Sequence, residues 1–490
     1  MADDRRARPP GTGAATAAPP IPMLWLLTVI CGVTVGNLYY LQPLLDTIGR
    51  EFDAGVSEAG SSLSAMHVGY ALGLLLLLPL ADVLRRRRLV VVLTVLTAAG
   101  LVAMTLAPGL AVLTVAATAV GVTTVLVQVL VAYVAVLSGE RRGRVVGTLM
   151  TGMLTGVLLS RTVSGLLADL AGWRMVFAVA AVLMLLSGLA LHRALPDRPA
   201  DSTVGYLRLL GSLRKLVATE PVLRRRSLYG ALCYGAFNAI WTSAAFLTAG
   251  PPYHWSETGI GLLGLAGLGG VLAAARVGRL ADRGLQAPAT ISLLVLTLAS
   301  FGLVYAGGGH VVPLLLGIVL MDFGIQGVHL LNQSEVYRLA AQAPARLTTV
   351  YMTSYFVGGS AGTALGALAF QHGGWLGACA VAAAMIAVAV TVWVVDRFRS
   401  SGAGKKAARP GPTRGDATDP AAAARPPIGS SAPSTTGATA TGATATGPTA
   451  TRRTAVDPTA VSPTAVDPTA ATTPAAPPRR APGAGAVGSH

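Results

Sequence analysis

Charge is what this sequence has least of. Lys, Arg, Asp and Glu make up 12% of 490 residues, and only 21 are acidic against 37 basic. Soluble domains carry about 25% charged residues. With 53% hydrophobic residues and a mean hydropathy of +0.61, the composition excludes a soluble domain and calls for the lipid bilayer as partner. Cysteine is nearly absent. Cys31, Cys233 and Cys379 all fall inside apolar segments, an odd and scattered trio that excludes a disulfide framework or a zinc site and reads as packing. There is no G-x-x-x-x-G-K-[ST] loop, no cluster with metal-ligand spacing and no soluble domain of adequate size. These absences argue against an enzyme and against ATP-driven work. They imply no metal and no cofactor, with an ion gradient as the energy source. The net charge of +16 would suggest nucleic acid in a soluble protein, but here the basic residues mostly occupy short loops between apolar runs, and no nucleic-acid partner is expected. The polar start MADDRRARPPGTGAATAAPP, followed by an apolar run too long for an h-region, does not read as a signal peptide.

What is present is a series of apolar runs. A spanning helix needs about 20 mainly apolar residues. Twelve such segments lie near 23–45, 59–83, 89–107, 110–137, 145–168, 173–193, 227–249, 257–281, 286–307, 311–338, 346–370 and 374–396. Their loops alternate in charge. One side receives Arg5, Arg6 and Arg8, Arg85 to Arg88, Arg141, Arg142 and Arg144, the link 194–226, Arg276, Arg279 and Arg283, Arg338 and Arg346, and Arg397 and Arg399. The other receives Arg50 and Arg174 with neutral turns such as APGL and GGGH. The positive-inside bias then predicts an inner (plasma) membrane protein with both termini in the cytoplasm.

The chain also repeats. Shifted by 202 residues, Arg346 to Trp375 matches Arg144 to Trp173 at seven positions, including Gly156/Gly358, Gly172/Gly374 and Trp173/Trp375. In both copies small residues recur nearly every turn, as they do where helix backbones meet closely in lipid. The expected layout is a disordered N-terminus (1–22), a six-helix bundle (23–193), a basic linker (194–226), a second six-helix bundle (227–396) and a disordered tail (397–490) of Ala/Thr/Pro/Gly low complexity. The fold class is therefore all-α, with twelve transmembrane helices in two bundles.

After the eighth segment comes Gly278-Arg279-Leu280-Ala281-Asp282-Arg283-Gly284, and 200 residues before Asp282 sits Asp82 in Leu78-Pro79-Leu80-Ala81-Asp82-Val83-Leu84-Arg85-Arg86. An acid between arginines at a helix mouth suits a charge-relay clasp, and the glycines permit a tight turn. The pair resembles the G-x-L-a-D-R-x-G-R-R loop signature of the major facilitator superfamily, over roughly residues 20–397. Gln42-Pro43-Leu44-Leu45-Asp46 and the fifth-helix glycine series are similar to the drug:proton antiporter branch. Of that branch's ending G-P-x-x-G-G, Ser160–Gly165 keeps the last glycine, and Gln128 is what the fourth helix offers where an arginine is common. The string MDFGIQGVHLLNQSEVYRL resembles that of efflux permeases. The resemblance implies two bundles around a central cavity, alternating access, and a gating role for Asp82, Arg86, Gly278, Asp282, Arg283 and Gly284.

Intramembrane charge marks function by default, because burying it is costly. Arg161 lies 16 residues inside the fifth segment from Val145, about 24 Å at 1.5 Å per residue, and Asp322 lies 16 residues from Arg338 at the same end of the tenth. In the implied fold these helices are neighbours. An Arg161–Asp322 pair that breaks or protonates during the cycle is expected, with a static ion pair as the alternative. Asp322, Gln326, His329 and Gln333 share one helical face that should turn to the cavity or bundle interior, with Gln326 and Gln333 as substrate-cavity candidates, and His329 is either a proton relay or a neutral histidine bonded to a carbonyl. Asn37, Tyr40, Gln42, Gln128, Asn238, Trp241 and Thr242 are candidates to line a substrate cavity, the alternative being interfacial tyrosines and packing amides. His67 reads as a packed polar residue, Glu335 as a solvated or loop-paired charge, and Asp169 as a cap for helix six or a partner for Arg174.

The expected function is proton-coupled efflux of a small organic molecule by a monomer. The alternatives are a uniporter or proton symporter for sugars or metabolites, or a non-transporting membrane sensor.

Overall fold

The computed structural model describes residues 21–407, apart from 82, 139–141, 197–204, 268, 271–272, 274–275, 278, 281–282 and 340–343. Every regular element among them is helical. Eight of these helices are long and apolar enough to cross a membrane. They are α3 (Val56–Leu80), α4 (Arg86–Thr105), α5 (Leu110–Thr124) continued by α6 (Leu126–Leu137), α7 (Arg142–Ala171), α8 (Trp173–Ala194), α12 (Gln286–Ala306), α13 (Val311–Arg338) and α14 (Pro344–Ala407). α14 holds the eleventh and twelfth expected segments, which turn at Gly374.

The other expected segments differ in instructive ways. The first is not one helix. α1 (Ile21–Gly36) ends in tight i→i+3 turns through Asn37, Leu38 and Tyr39, passes a 3₁₀ turn at Gln42–Leu44 and resumes as α2 (Leu45–Glu51). Pro43 has no N–H to give the ladder, and Gln42 takes the Tyr39 carbonyl instead. The seventh, α10 (Pro221–Ala249), starts with Pro at its first turn, six residues before the expected 227. The eighth is broken into α11 (Glu257–Leu263), a 3₁₀ turn at Gly264–Gly267 and, among the described residues, helical positions at 269–270, 273, 276–277 and 279–280. The linker 194–226 is not merely a basic link: it contains α9 (Tyr206–Thr219), which buries Leu209 and Leu213 one turn apart while Arg208, Arg214 and Lys215 stay outside. A search for long apolar runs passes over so amphipathic a helix. α14 likewise runs on to Ala407, beyond the expected start of the tail at 397, and residues 408–490 and 1–20 lie outside the described ones.

The repeat is visible in the packing. α1 crosses α7 where Gly156 meets Gly32, so closely that a Cβ at Gly156 would stand 2.3 Å from the Gly32 carbonyl oxygen. α10 crosses α14 in the same manner, a Cβ at Gly358 falling 2.1 Å from the Ala231 oxygen. Each helical hairpin turns on a left-handed glycine followed by tryptophan, Gly172 (φ 83°) before Trp173 and Gly374 (φ 57°) before Trp375.

The segment before residue 197 and the segment after 205 are joined along one end. Asp169 of α7 accepts hydrogen bonds from the backbone N–H groups of Glu257 (3.1 Å) and Thr258 (2.9 Å), capping the start of α11 rather than helix six or Arg174. Thr47 donates to the Glu257 carboxylate, and the Ser57 N–H donates to Gln371 Oε1 at 2.9 Å. About two to three turns further in, Ser64 Oγ meets Ser360 Oγ at 2.8 Å. Arg174 bonds instead to Glu51, which also accepts from the Trp173 indole. That indole hydrogen bond first, and the guanidinium after it, hold the Glu51 carboxyl below the usual range.

Candidate functional site

The break after α1 is where the site begins. Tyr39 and Gln42 sit in it, and both reach Arg161, which α7 brings to the same level. Arg161 is buried, 3% exposed, and its Nε donates to Gln42 Oε1 at 2.8 Å. The guanidinium is walled by aromatic rings: its carbon lies 4.1 Å from the centre of Trp241, 5.1 Å from Tyr39 and 5.6 Å from Phe237. Phe237 and Trp241 are one turn apart on α10 and therefore share a face. Desolvated cation–π contact of this kind contributes about 2 kcal/mol. Arg161 Nη2 has no hydrogen-bond partner.

Asp322, on α13, is also buried, and Trp241 Nε1 donates to its Oδ1 at 3.3 Å. Arg161 and Asp322 thus both meet Trp241, but they form no direct ion pair. The Trp241 indole contacts both, its face turned to the cation and its N–H to the acid. Small residues of the eighth segment allow this. A Cβ at Gly264 would stand 2.9 Å from Arg161 Cβ, and one at Gly267 would stand 3.2 Å from Asp322 Oδ2.

Beyond Arg161 the aromatic wall continues. Tyr39 Oη and Tyr234 Oη are 3.4 Å apart, and Tyr234 stacks on Tyr355 (4.1 Å) and on Phe237 (5.7 Å). Tyr355 lies 4.5 Å from the ring of His329, whose Nδ1 is 2.9 Å from Tyr351 Oη. His329 is thus bonded to a hydroxyl, not to a carbonyl. The rest of its stripe disperses: Gln326 packs on Gly270, and Gln333 faces Met352 Sδ at 3.9 Å.

The other candidates separate from this centre. Tyr40 packs between Gly36 and Ser160, and its carbonyl accepts from Ser164 Oγ at 2.7 Å. It is Tyr39, one residue away, that meets Arg161. Asn238 donates to its own helix at the Tyr234 carbonyl (2.9 Å), and Gln128 bonds Tyr70 Oη at 3.5 Å. Asn37 is buried with neither amide atom partnered, as is Thr242 Oγ1. His67 is buried beside Phe356 and Tyr234, and Glu335 lies 3.7 Å from Arg338. Of the loop motifs, Asp82, Gly278 and Asp282 lie outside the described residues. Arg86 Nε donates to the Ala81 carbonyl at 3.2 Å, the Arg283 N–H donates to the Arg279 carbonyl, and Gly284 makes the turn at φ 75°. Tyr39, Tyr234 and Phe237 are functional candidates that motif reasoning passed over. The spacing of Tyr234, Phe237 and Trp241, three and then four residues, was the available signal.

The described residues thus form a helical bundle in which a cation and an acid from separate segments are buried together. The family model of the Major Facilitator Superfamily matches residues 24–363, and the chain belongs to that family. It is a transporter of that type and not an enzyme. It is 45% identical over 372 residues to the "Uncharacterized transporter YgaY" of Escherichia coli O157:H7, covering 76% of this chain and 94% of that protein. It is 34% identical over 392 residues to the "Probable transporter SCO4007" of Streptomyces coelicolor, covering 80% and 91%. Among solved structures, the nucleoside transporter NupG aligns with a TM-score of 0.61 at 12% identity (76% of this chain, 99% of that one). The peptide transporter POT aligns with a TM-score of 0.63 at 16% identity, covering 79% and 97%. At such identities the likeness is one of fold.

Proposed function

We propose that this chain is a proton-coupled secondary transporter that exports a small organic molecule by alternating access. It works as a monomer of twelve spanning segments in two six-helix bundles, in the inner membrane, with the linker and both termini in the cytoplasm. The observation that carries the reading is the Arg161–Trp241–Asp322 arrangement, which draws one charge from each half of the chain to a common, water-poor level. Protonating Asp322 removes the one carboxylate that acts on Arg161 among the described residues. Movement of one half against the other alters the same contact. A proton and a conformational change therefore act on one group, which is what coupling requires. The closure of one end by Asp169, Glu257, Ser57 and Gln371 supports a cycle in which that end opens in turn.

A second reading, proton symport, is favoured by one feature. Neutralising Asp322 leaves Arg161 in want of a counterion, so a proton and an anionic substrate would bind together. The test is substrate-induced proton movement in proteoliposomes, with Asp322→Asn alongside. Proton release from the lumen on adding substrate outside, lost in Asp322→Asn, supports exchange; proton uptake with substrate supports symport. Substrate flux without a proton signal, unchanged in the variant, sinks the coupling role.

A further inference from the structure

An open cleft of about 230 Å³ lies where α10, α12, α13 and α14 end, with Arg225, Arg226, Glu335, Asp396 and Arg397 as its charged lining. One water needs roughly 10–15 Å³ of such space, so the cleft admits a polyatomic ligand. Its charges are unequally matched. Asp396 accepts from Tyr229 Oη at 3.3 Å and lies 3.7 Å from Arg225, while Glu335 lies 3.7 Å from Arg338. Arg226 differs from these. Half-buried, its Nη1 donates to Thr290 Oγ1 at 3.3 Å and to Asn332 Oδ1 at 3.2 Å, and it forms no ion pair among the described residues. Glu335 acts on it only from beyond ion-pair contact. Neutral acceptors fix the direction of a guanidinium without offsetting its charge, and both bonds use Nη1, which leaves the other donors to the cleft that Arg226 lines.

We infer that this cleft binds a phosphate group and that a phospholipid headgroup supplies it. Arg225, Arg226 and Arg397 stand against Glu335 and Asp396, so the lining favours an anion. A phosphate carries its oxygens around one centre, so guanidinium groups from α10 and α14 can share it, whereas the two coplanar oxygens of a carboxylate suit a single fork. The lipid source follows from depth. The apolar spans Gln286–Ala306, Val311–Arg338 and Arg346–Phe398 all reach this level, with Ala287 at the start of one and Glu335 and Trp393 near the ends of the others. That is where headgroups lie, and a basic pocket between spanning helices suits an anionic one. Trp393 and Tyr229 complete the lining with amphipathic rings of the kind that sit at headgroup level. The bound phosphate gives Arg226 the counterion that its protein partners do not.

The test uses the full chain in a neutral detergent, with short-chain phosphatidylglycerol, diacylglycerol of the same chains and inorganic phosphate as probes. Thermal unfolding and the fluorescence of Trp393, isolated by difference against Trp393→Phe, report binding. Phosphatidylglycerol should raise the unfolding temperature and change the Trp393 signal, and it should bind roughly tenfold or more tighter than diacylglycerol. Arg226→Gln should weaken phosphatidylglycerol by roughly the same factor, and Arg226→Lys by less. The comparison of probes on the unaltered protein stands even if the variants fail to fold. An equal response to diacylglycerol, no response to phosphatidylglycerol, or a response unchanged in Arg226→Gln overturns the inference. Inorganic phosphate binding as tightly as phosphatidylglycerol supports the phosphate site and overturns lipid as its source.

Discussion

Arg161 lies 4.1 Å from the ring centre of Trp241, a cation on α7 held against an indole of α10, more than seventy residues away in sequence. The contact spans the two parts of the chain that the linker joins, so any motion of one part against the other must change it. Removing the indole N–H while keeping a ring tests what the contact does for stability.

Trp241→Phe retains cation–π attraction but leaves Asp322 Oδ1 without its donor. An unsatisfied buried acceptor costs about 1–3 kcal/mol, so the unfolding temperature of the purified protein should fall. An unchanged value would mean that Asp322 finds another donor or carries its own proton.

The glycine crossings are sharply position-dependent. Gly156→Ala and Gly358→Ala would each place a methyl group within 2.3 Å of a facing carbonyl oxygen. Because the facing atom is backbone, the helices must separate, and each substitution should lower the yield of monodisperse protein in detergent. Gly147→Ala meets nothing within 4 Å and should be neutral or mildly stabilising, by up to about 1 kcal/mol from helix propensity. Equal behaviour of all three would refute the close-packing account.

Asp169 caps a helix that belongs to the other half of the chain. Asp169→Ala should cost about 0.5–2 kcal/mol of the closed arrangement, the usual magnitude for losing such a cap. A cysteine introduced at Ser57, whose N–H bonds Gln371 across the same closed end, should then react faster with a polar maleimide. The native cysteines are all buried and give a low background. No change in labelling rate would show that the cap does not hold the end shut.

Glu51 supplies a pH dependence outside the membrane spans. The Trp173 indole first, and Arg174 after it, lower its folded-state pKa below the unfolded value. Its contribution to stability is therefore present above the unfolded carboxylate range and is lost as pH falls through the lowered folded value. The Glu51 side chain is 38% exposed, so screening keeps the effect within about 1 kcal/mol. Glu51→Gln should flatten the acid limb of the unfolding temperature against pH. An identical limb in the variant would assign the acid sensitivity elsewhere.

The amino-acid pattern alone establishes that this chain lives in lipid, that it is helical, and that it repeats with a shift of 202 residues. Each of these rests on local chemistry. An apolar run of spanning length must satisfy its backbone internally, and glycine at both Gly172 and Gly374 reflects one left-handed turn used twice. The sequence also named Arg161 and Asp322, since isolated charge in an apolar helix is conspicuous at any depth. Long-range packing sets what lies between them. The sequence predicts that two opposite charges at one level will touch, but that outcome depends on which face of α10 turns inward, and α10 is apolar nearly all round. Only packing settles that Trp241 stands between them, that Tyr39 rather than Tyr40 faces the cation, and that Asp169 reaches α11. These are contacts between residues more than seventy positions apart, and spacing along one helix has no means of encoding them.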